Sequence, residues 1–133
     1  MAAIAHTVSK IAYGTYAPGA VDKFPGLPVT YVAYDVGQVG GSNGYKFTND
    51  GRTFLHFKNT NASVRVITFI SRRANTDGFI QNVVVDIPAT TGDIMIGPFP
   101  KGRFDDSAGQ VTFWSDDDEN LTFRAFSLSE QGL

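Results

Sequence analysis

The chain has 133 residues, enough for one domain whose core needs no covalent staples. Its 11 Lys+Arg and 13 Asp+Glu leave a net charge of −2, without the basic excess of a nucleic-acid-binding domain or the polybasic cluster of a membrane anchor. With no cysteine, a disulfide framework, a thiolate metal site and a Cys nucleophile are all excluded.

Met1 to Lys10 (MAAIAHTVSK) shows neither the basic start nor the apolar run of a secretory signal. No stretch approaches the roughly 18 apolar residues of a spanning helix. A soluble protein outside the general secretory route is expected. Val (12), Ile (8), Thr (12) and Phe (11) far outnumber Leu (5) and Glu (2), a balance that favours pleated strands over helix. Several windows alternate with period two and none carries a clean 3.6-residue stripe, so the chain is expected to be all-β.

In chain order, residues 1–26 stand apart. They are rich in Ala, Gly and Tyr, with turn signals at Pro18-Gly19 and Pro25-Gly26. They read either as an extended arm lying on a partner or as a first edge strand plus loop. Residues 27–133 read as one β-sandwich domain. Leu27 to Val36 is expected to form a strand, Gly37 to Asn43 a flexible glycine-rich loop, Tyr45 to Phe47 a short strand, and Thr48 to Gly51 a turn in which Asp-Gly supplies a positive φ. Thr53 to Lys58 alternates, with Leu55 and Phe57 toward the core and Phe54, His56 and Lys58 on the other face. After a turn at Asn59–Ala62, Ser63 to Ile70 sets Val64, Val66, Thr68 and Ile70 on one face. Arg65, Ile67 and Phe69 lie on the other, which is apolar enough to need partial cover.

Ser71 to Gly78 is a polar loop with the Arg72-Arg73 pair. Phe79 to Ile87 reads as a strand ending at Pro88, where a ladder donor is lost. A turn at Ala89–Gly92 leads to the alternating Asp93–Gly97. Gly97 to Lys101 is a rigid corner in which two prolines flank Phe99, and Phe104 to Gly109 is a turn. Gln110 to Ser115 points Val111 and Phe113 inward and Trp114 outward. Asp116 to Asn120 is a hairpin tip. Leu121 to Leu128 closes the pattern with Leu121, Phe123 and Ala125 on one face. Seven or eight short strands separated by turn signals predict a single antiparallel β-sandwich, with the jelly roll as the candidate topology.

Few residues in this pattern suggest chemistry. Asp116-Asp117-Asp118-Glu119 has the carboxylates of a Ca²⁺ site but not the spacing of an EF-hand, and it reads as a solvated turn that blocks edge pairing. His6 and His56 have no partners at metal-ligand spacing, and His56 reads as a surface or interface residue. There is no G-x-S-x-G elbow, Walker loop or dinucleotide fingerprint. Asn61-Ala62-Ser63 and Asn120-Leu121-Thr122 match the glycosylation acceptor by chance, since no secretory signal accompanies them. No catalytic residue, metal site or cofactor is assigned. Trp114 has three readings: it is covered by the N-terminal segment, it anchors a protein interface, or it stacks on a sugar with Tyr31, Tyr34, Phe54 or Phe126.

Three segments carry a family resemblance: Asn49-Asp50-Gly51-Arg52-Thr53-Phe54-Leu55-His56-Phe57-Lys58-Asn59, then Val83-Val84-Val85-Asp86-Ile87-Pro88-Ala89, then Gly97-Pro98-Phe99-Pro100 with Phe104 and the last two strands. Over residues 43–128 the chain resembles small bacteriophage virion proteins of the capsid decoration (cement) type. The first 36 residues lie outside the resemblance and depart from the compact form of that family. The resemblance implies a non-enzymatic structural role on the outer capsid surface, with the major capsid protein as partner. Such a protein stabilises the shell by binding only its assembled state. Self-association is expected, as a homotrimer where the lattice site has threefold symmetry. Neither nucleic acid nor membrane is an expected partner. Tyr13, Tyr16, Phe24, Arg72, Arg73 and Trp114 are the expected capsid or subunit contacts, from their aromatic or arginine character. The competing expectations are a neck, tail or fibre-associated virion protein and a carbohydrate-binding β-sandwich.

Overall fold

Alternation of period two builds the core. Phe47, Leu55, Phe57, Val111, Phe113, Leu121 and Phe123 are buried, and each sits between more exposed neighbours. The computed structural model describes residues 3–11, 30–41, 43–74 and 78–128. Its strands are β1 (Ile4–Ala5), β2 (Ser9–Ile11), β3 (Val32–Ala33), β4 (Tyr45–Thr48), β5 (Thr53–Asn59), β6 (Arg65–Phe69), β7 (Val83–Ile87), β8 (Gly92–Ile96), β9 (Gln110–Ser115) and β10 (Leu121–Leu128). One helical turn, α1 (Lys101–Phe104), precedes β9.

The strands form two sheets. The first runs β1-β4-β9-β6-β7 and the second β2-β10-β5-β8, with β3 also on β10. All pairings among β3 to β10 are antiparallel. β4-β9-β6-β7 facing β3-β10-β5-β8 is the strand order of a jelly roll. β1 and β2 are additions to it, each running parallel to its neighbour. Between the sheets, the rings of Phe57, Phe113 and Phe123 form a triangle with centroids 5.7, 5.5 and 5.8 Å apart. Phe57 and Phe123 come from the second sheet and Phe113 from the first, so this triangle joins the layers.

Two buried asparagines fasten the strand ends. Asn59 Nδ2 donates to the carbonyls of Ser63 (2.9 Å), Ile87 (3.3 Å) and Pro88 (3.0 Å). Asn49 Nδ2 donates to the Phe99 carbonyl (3.0 Å) and to Asp105 (2.7 Å), and its Oδ1 accepts the Gly51 amide. The three segments that carry the family resemblance thus meet at two points, and both are structural.

The structure corrects five expectations. In the expected strand over Leu27–Val36, residues 27–29 lie outside the described residues and only Val32–Ala33 pairs. Asp35 then accepts the Gly37 amide and starts a 3₁₀ turn at Val36–Gln38. The expected flexible loop over Gly37–Asn43 is tied down where it is described. Gln38 Nε2 donates to the Gly44 carbonyl, Asn43 Nδ2 to the Gly37 carbonyl, and the Tyr34 hydroxyl to the Gln38 carbonyl. On β6 the face of Arg65, Ile67 and Phe69, expected to be partly covered, is wholly buried, because the Arg65 guanidinium reaches sideways to the Glu119 carbonyl (Nη2, 2.9 Å). The strand expected over Phe79–Ile87 begins only at Val83, because its ladder partner ends at Phe69 and Ser71 already bonds Asn82. Finally, the corner at Pro98–Pro100 runs into α1, whose Phe104 amide bonds the Pro100 carbonyl, before the turn starts.

Candidate functional site

The outer face of the second sheet carries an apolar groove. Alternation puts Phe54, His56 and Lys58 of β5 on this face. Pairing with β8 brings up Met95 beside His56 and Asp93 beside Lys58, and pairing with β10 sets Arg124 beside His56 and Phe126 beside Phe54. Tyr31, just before β3, leans over them. The result is an open groove of about 380 Å³ lined by Tyr31, Phe54, His56, Met95, Phe126 and Leu128. Met95 is 57% exposed, whereas Phe126 is buried beneath Tyr31.

Three polar groups organise one end of the groove. His56 bonds the Tyr31 hydroxyl through Nδ1 and the Asp93 carboxylate through Nε2. The Lys58 ammonium lies 4.4 Å from the Tyr31 ring centroid, a cation–π contact. A hydroxyl, an imidazole and a carboxylate in series have the order of a nucleophile relay. Here, however, burial and then the Asp93 charge push the Tyr31 hydroxyl above its ordinary range, the wrong direction for a phenolate nucleophile. Asp93 is held below the usual carboxylate range by its bond from His56. The arrangement orients Tyr31 over the sheet and leaves an apolar wall beside it.

The residues expected as contacts are not gathered in this groove. Tyr13, Tyr16 and Phe24 lie outside the described residues. Arg72 and Arg73 are exposed in the loop after β6, where the Arg72 amide donates to the Arg103 carbonyl (2.7 Å). Phe79 and Ile80, 64% and 66% exposed, lie further along the chain before β7. Trp114 is on the outer face of the first sheet, opposite Thr68, and is half-buried. Gly41 lies against it: a Cβ there would stand 3.5 Å from the indole. At Gly44, φ is +117° and a Cβ would fall 2.3 Å from the Phe113 carbonyl, so only glycine lets the loop lie this close.

The acidic run is a fastened turn. Asp116 accepts the Val66 amide (2.9 Å), and Asp117 accepts the amides of Asp118 and Glu119 and sits 3.8 Å from Arg65. Those amides, Glu119 then Asp118, hold the Asp117 carboxyl below its usual range. Among the described residues no three His, Asp or Glu side chains could hold a metal ion, and no helix is long and apolar enough to cross a membrane.

The groove was not legible in the sequence as a site. Its outward residues were, through alternation in β5 and β10, but the arrival of Tyr31 and of Asp93 and Met95 depends on strand order. Comparison with protein-family models, with curated proteins and with solved structures finds no match.

Proposed function

We propose that this chain is a structural virion protein that binds the outside of a phage capsid and stabilises it, a decoration (cement) protein. The observation that carries the reading is the apolar groove on the outer face of the second sheet, on a framework whose two sheets are locked by an aromatic core. A contiguous apolar patch rimmed by Lys58, Asp93 and Arg124 has the anatomy of a protein–protein contact surface. Its occupant in this reading is an apolar segment of the major capsid protein. The exposed Phe79 and Ile80, with Arg72 and Arg73, supply a second contact at the edge of the first sheet. Binding at many equivalent sites shifts the shell away from disassembly by mass action, and no bond need be made or broken. Self-association as a homotrimer fits lattice sites of threefold symmetry.

The test is the copy number of this chain relative to the major shell protein in purified particles, combined with rebinding of Met95→Glu to stripped shells. A stoichiometric or simple fractional ratio, with rebinding lost in the variant, supports decoration. A handful of copies per particle moves the protein to the neck, tail or fibres. Absence from the particle overturns the virion reading and makes glycan binding the next test. For that reading Trp114 starts with one side of its indole already covered by Gly41.

A further inference from the structure

Residues 3–11 cross from one sheet to the other. β1 lies along β4 in the first sheet and β2 along β10 in the second, with His6 between them. β1 pairs over two residues and β2 over three. The Ile4 amide donates to the Gly44 carbonyl (2.9 Å) and the His6 amide to the Lys46 carbonyl (2.8 Å). Among residues 3–9, His6 is the one buried side chain, at 8% exposure. Its ring packs 4.7 Å from the Phe123 ring and edge-on to Tyr45.

The ring also closes a gap in the second sheet. The outer edge of β10 is paired by β3 at Thr122 and Phe123 and by β2 from Phe126 to Leu128. The Ala125 amide falls between these partners and donates to His6 Nε2 at 2.9 Å. A nitrogen that accepts this bond carries no proton, so the ring is neutral with its proton on Nδ1.

We propose that residues 3–11 form a proton-operated clasp, in which protonation of His6 releases β1 and β2 and uncovers the outer edges of β4 and β10. An imidazolium has no acceptor, so the Ala125 amide would lose its partner. The new cation would also sit beside Arg124, whose Nε holds Ser9 Oγ of β2 at 2.8 Å. Among the described residues, the charged and titratable groups facing His6 are Arg124 on β10 and Tyr45 on β4, with Lys46 next to Tyr45, and none of these carries negative charge near neutral pH. Burial, then the Arg124 charge, lower the His6 pKa from 6.5 to about 4. The clasp is therefore held fully above pH 6.5 and loosens as the pH falls toward 4. Linkage between those two values makes the opening equilibrium about 20-fold larger at pH 5 than at pH 7, with a limit of about 300-fold.

Amide hydrogen exchange followed by NMR tests this on the whole chain. Protection at the Ile4, His6 and Ala125 amides, corrected for intrinsic exchange, is expected to fall about 20-fold between pH 7 and pH 5 and to stay below that of Phe57 and Phe113, which exchange only through unfolding of the whole fold. His6→Gln stays neutral and its side-chain oxygen can take the Ala125 amide, so its protection is expected to stay flat. His56→Gln, which removes the other histidine, is expected to behave like the wild type. Unchanged wild-type protection down to pH 4, or the same acid loss in His6→Gln, overturns the proposal. Should His6→Gln not hold the strands at pH 7, titration of the wild-type His6 ring decides: protonation that tracks loss of Ala125 protection supports the clasp, and protonation without it overturns it.

Discussion

Asn59 shows how much a single side chain can organise. One amide nitrogen satisfies carbonyls from Ser63, Ile87 and Pro88, and its oxygen accepts the Asn61 amide at 3.0 Å. Asn59→Ala leaves these buried groups without partners and is expected to cost about 2–3 kcal/mol in urea unfolding, since each unsatisfied buried group costs on the order of 1–3 kcal/mol. Asn59→Asp keeps the shape but turns a donor into a charged acceptor facing three carbonyls. It is expected to be the worse of the two near neutral pH, and an Asn59→Ala midpoint equal to that of the wild type would show that the donor bonds contribute nothing. Neighbouring Leu55 and Phe57 could be placed in the core from alternation alone. Asn59 could be read only as a turn residue, because two of its partners, Ile87 and Pro88, lie 28 and 29 residues further along the chain.

Among the elements, the strands that obey alternation were legible and the connections between them were not. β5, β9 and β10 follow the expected inward residues, whereas on β6 the face expected to be only partly covered is wholly buried, because Arg65 reaches the β9–β10 turn instead of water. Local sequence cannot register a guanidinium that is satisfied by a carbonyl 54 residues away. The turn from β7 to β8 shows the same dependence on tertiary approach. Gly92 opens β8 with a backbone any residue could adopt, yet a Cβ there would lie 2.1 Å from the Pro88 carbonyl. Gly92→Ala must push that carbonyl away and disturb its bond from Asn59. A loss of about 1–3 kcal/mol is expected, in the range of overpacking changes that force backbone shifts. On the same strand Met95 faces solvent, so Met95→Glu is expected to stay within about 0.5 kcal/mol of the wild type, as exposed substitutions do. Thermal midpoints measured side by side check the contrast, and a Met95→Glu variant as damaged as Gly92→Ala would mean that the groove belongs to the core.

The molecule as a whole should answer to acid in two separate windows. His6 is neutral in the fold, with its pKa lowered to about 4, and returns to 6.5 on unfolding. Its contribution is complete above pH 6.5 and is lost as the pH falls to 4. Carboxylates act lower down. Burial alone would raise the Asp50 carboxyl, but bonds from Ser127, the Arg52 amide and Thr53, with the Arg52 charge, hold it below its ordinary 3.8. Asp106 is held low chiefly by the Gln110 amide. For these groups the stabilisation is present above pH 3.8 and disappears as the pH drops through their lower folded values. Urea midpoints plotted against pH should therefore decline gently from 6.5 to 4 and steeply below 4. His6→Gln should remove the first decline and leave the second. Asp50→Asn should start from a lower midpoint at pH 7, because Ser127 and Thr53 lose a charged acceptor, and should soften only the second. The two windows have different structural origins: the upper one belongs to the clasp that joins the sheet edges, and the lower one to the turns that join the strands. A single decline, removed by neither substitution, would mean that the acid response comes from net charge across the whole surface rather than from these bonds.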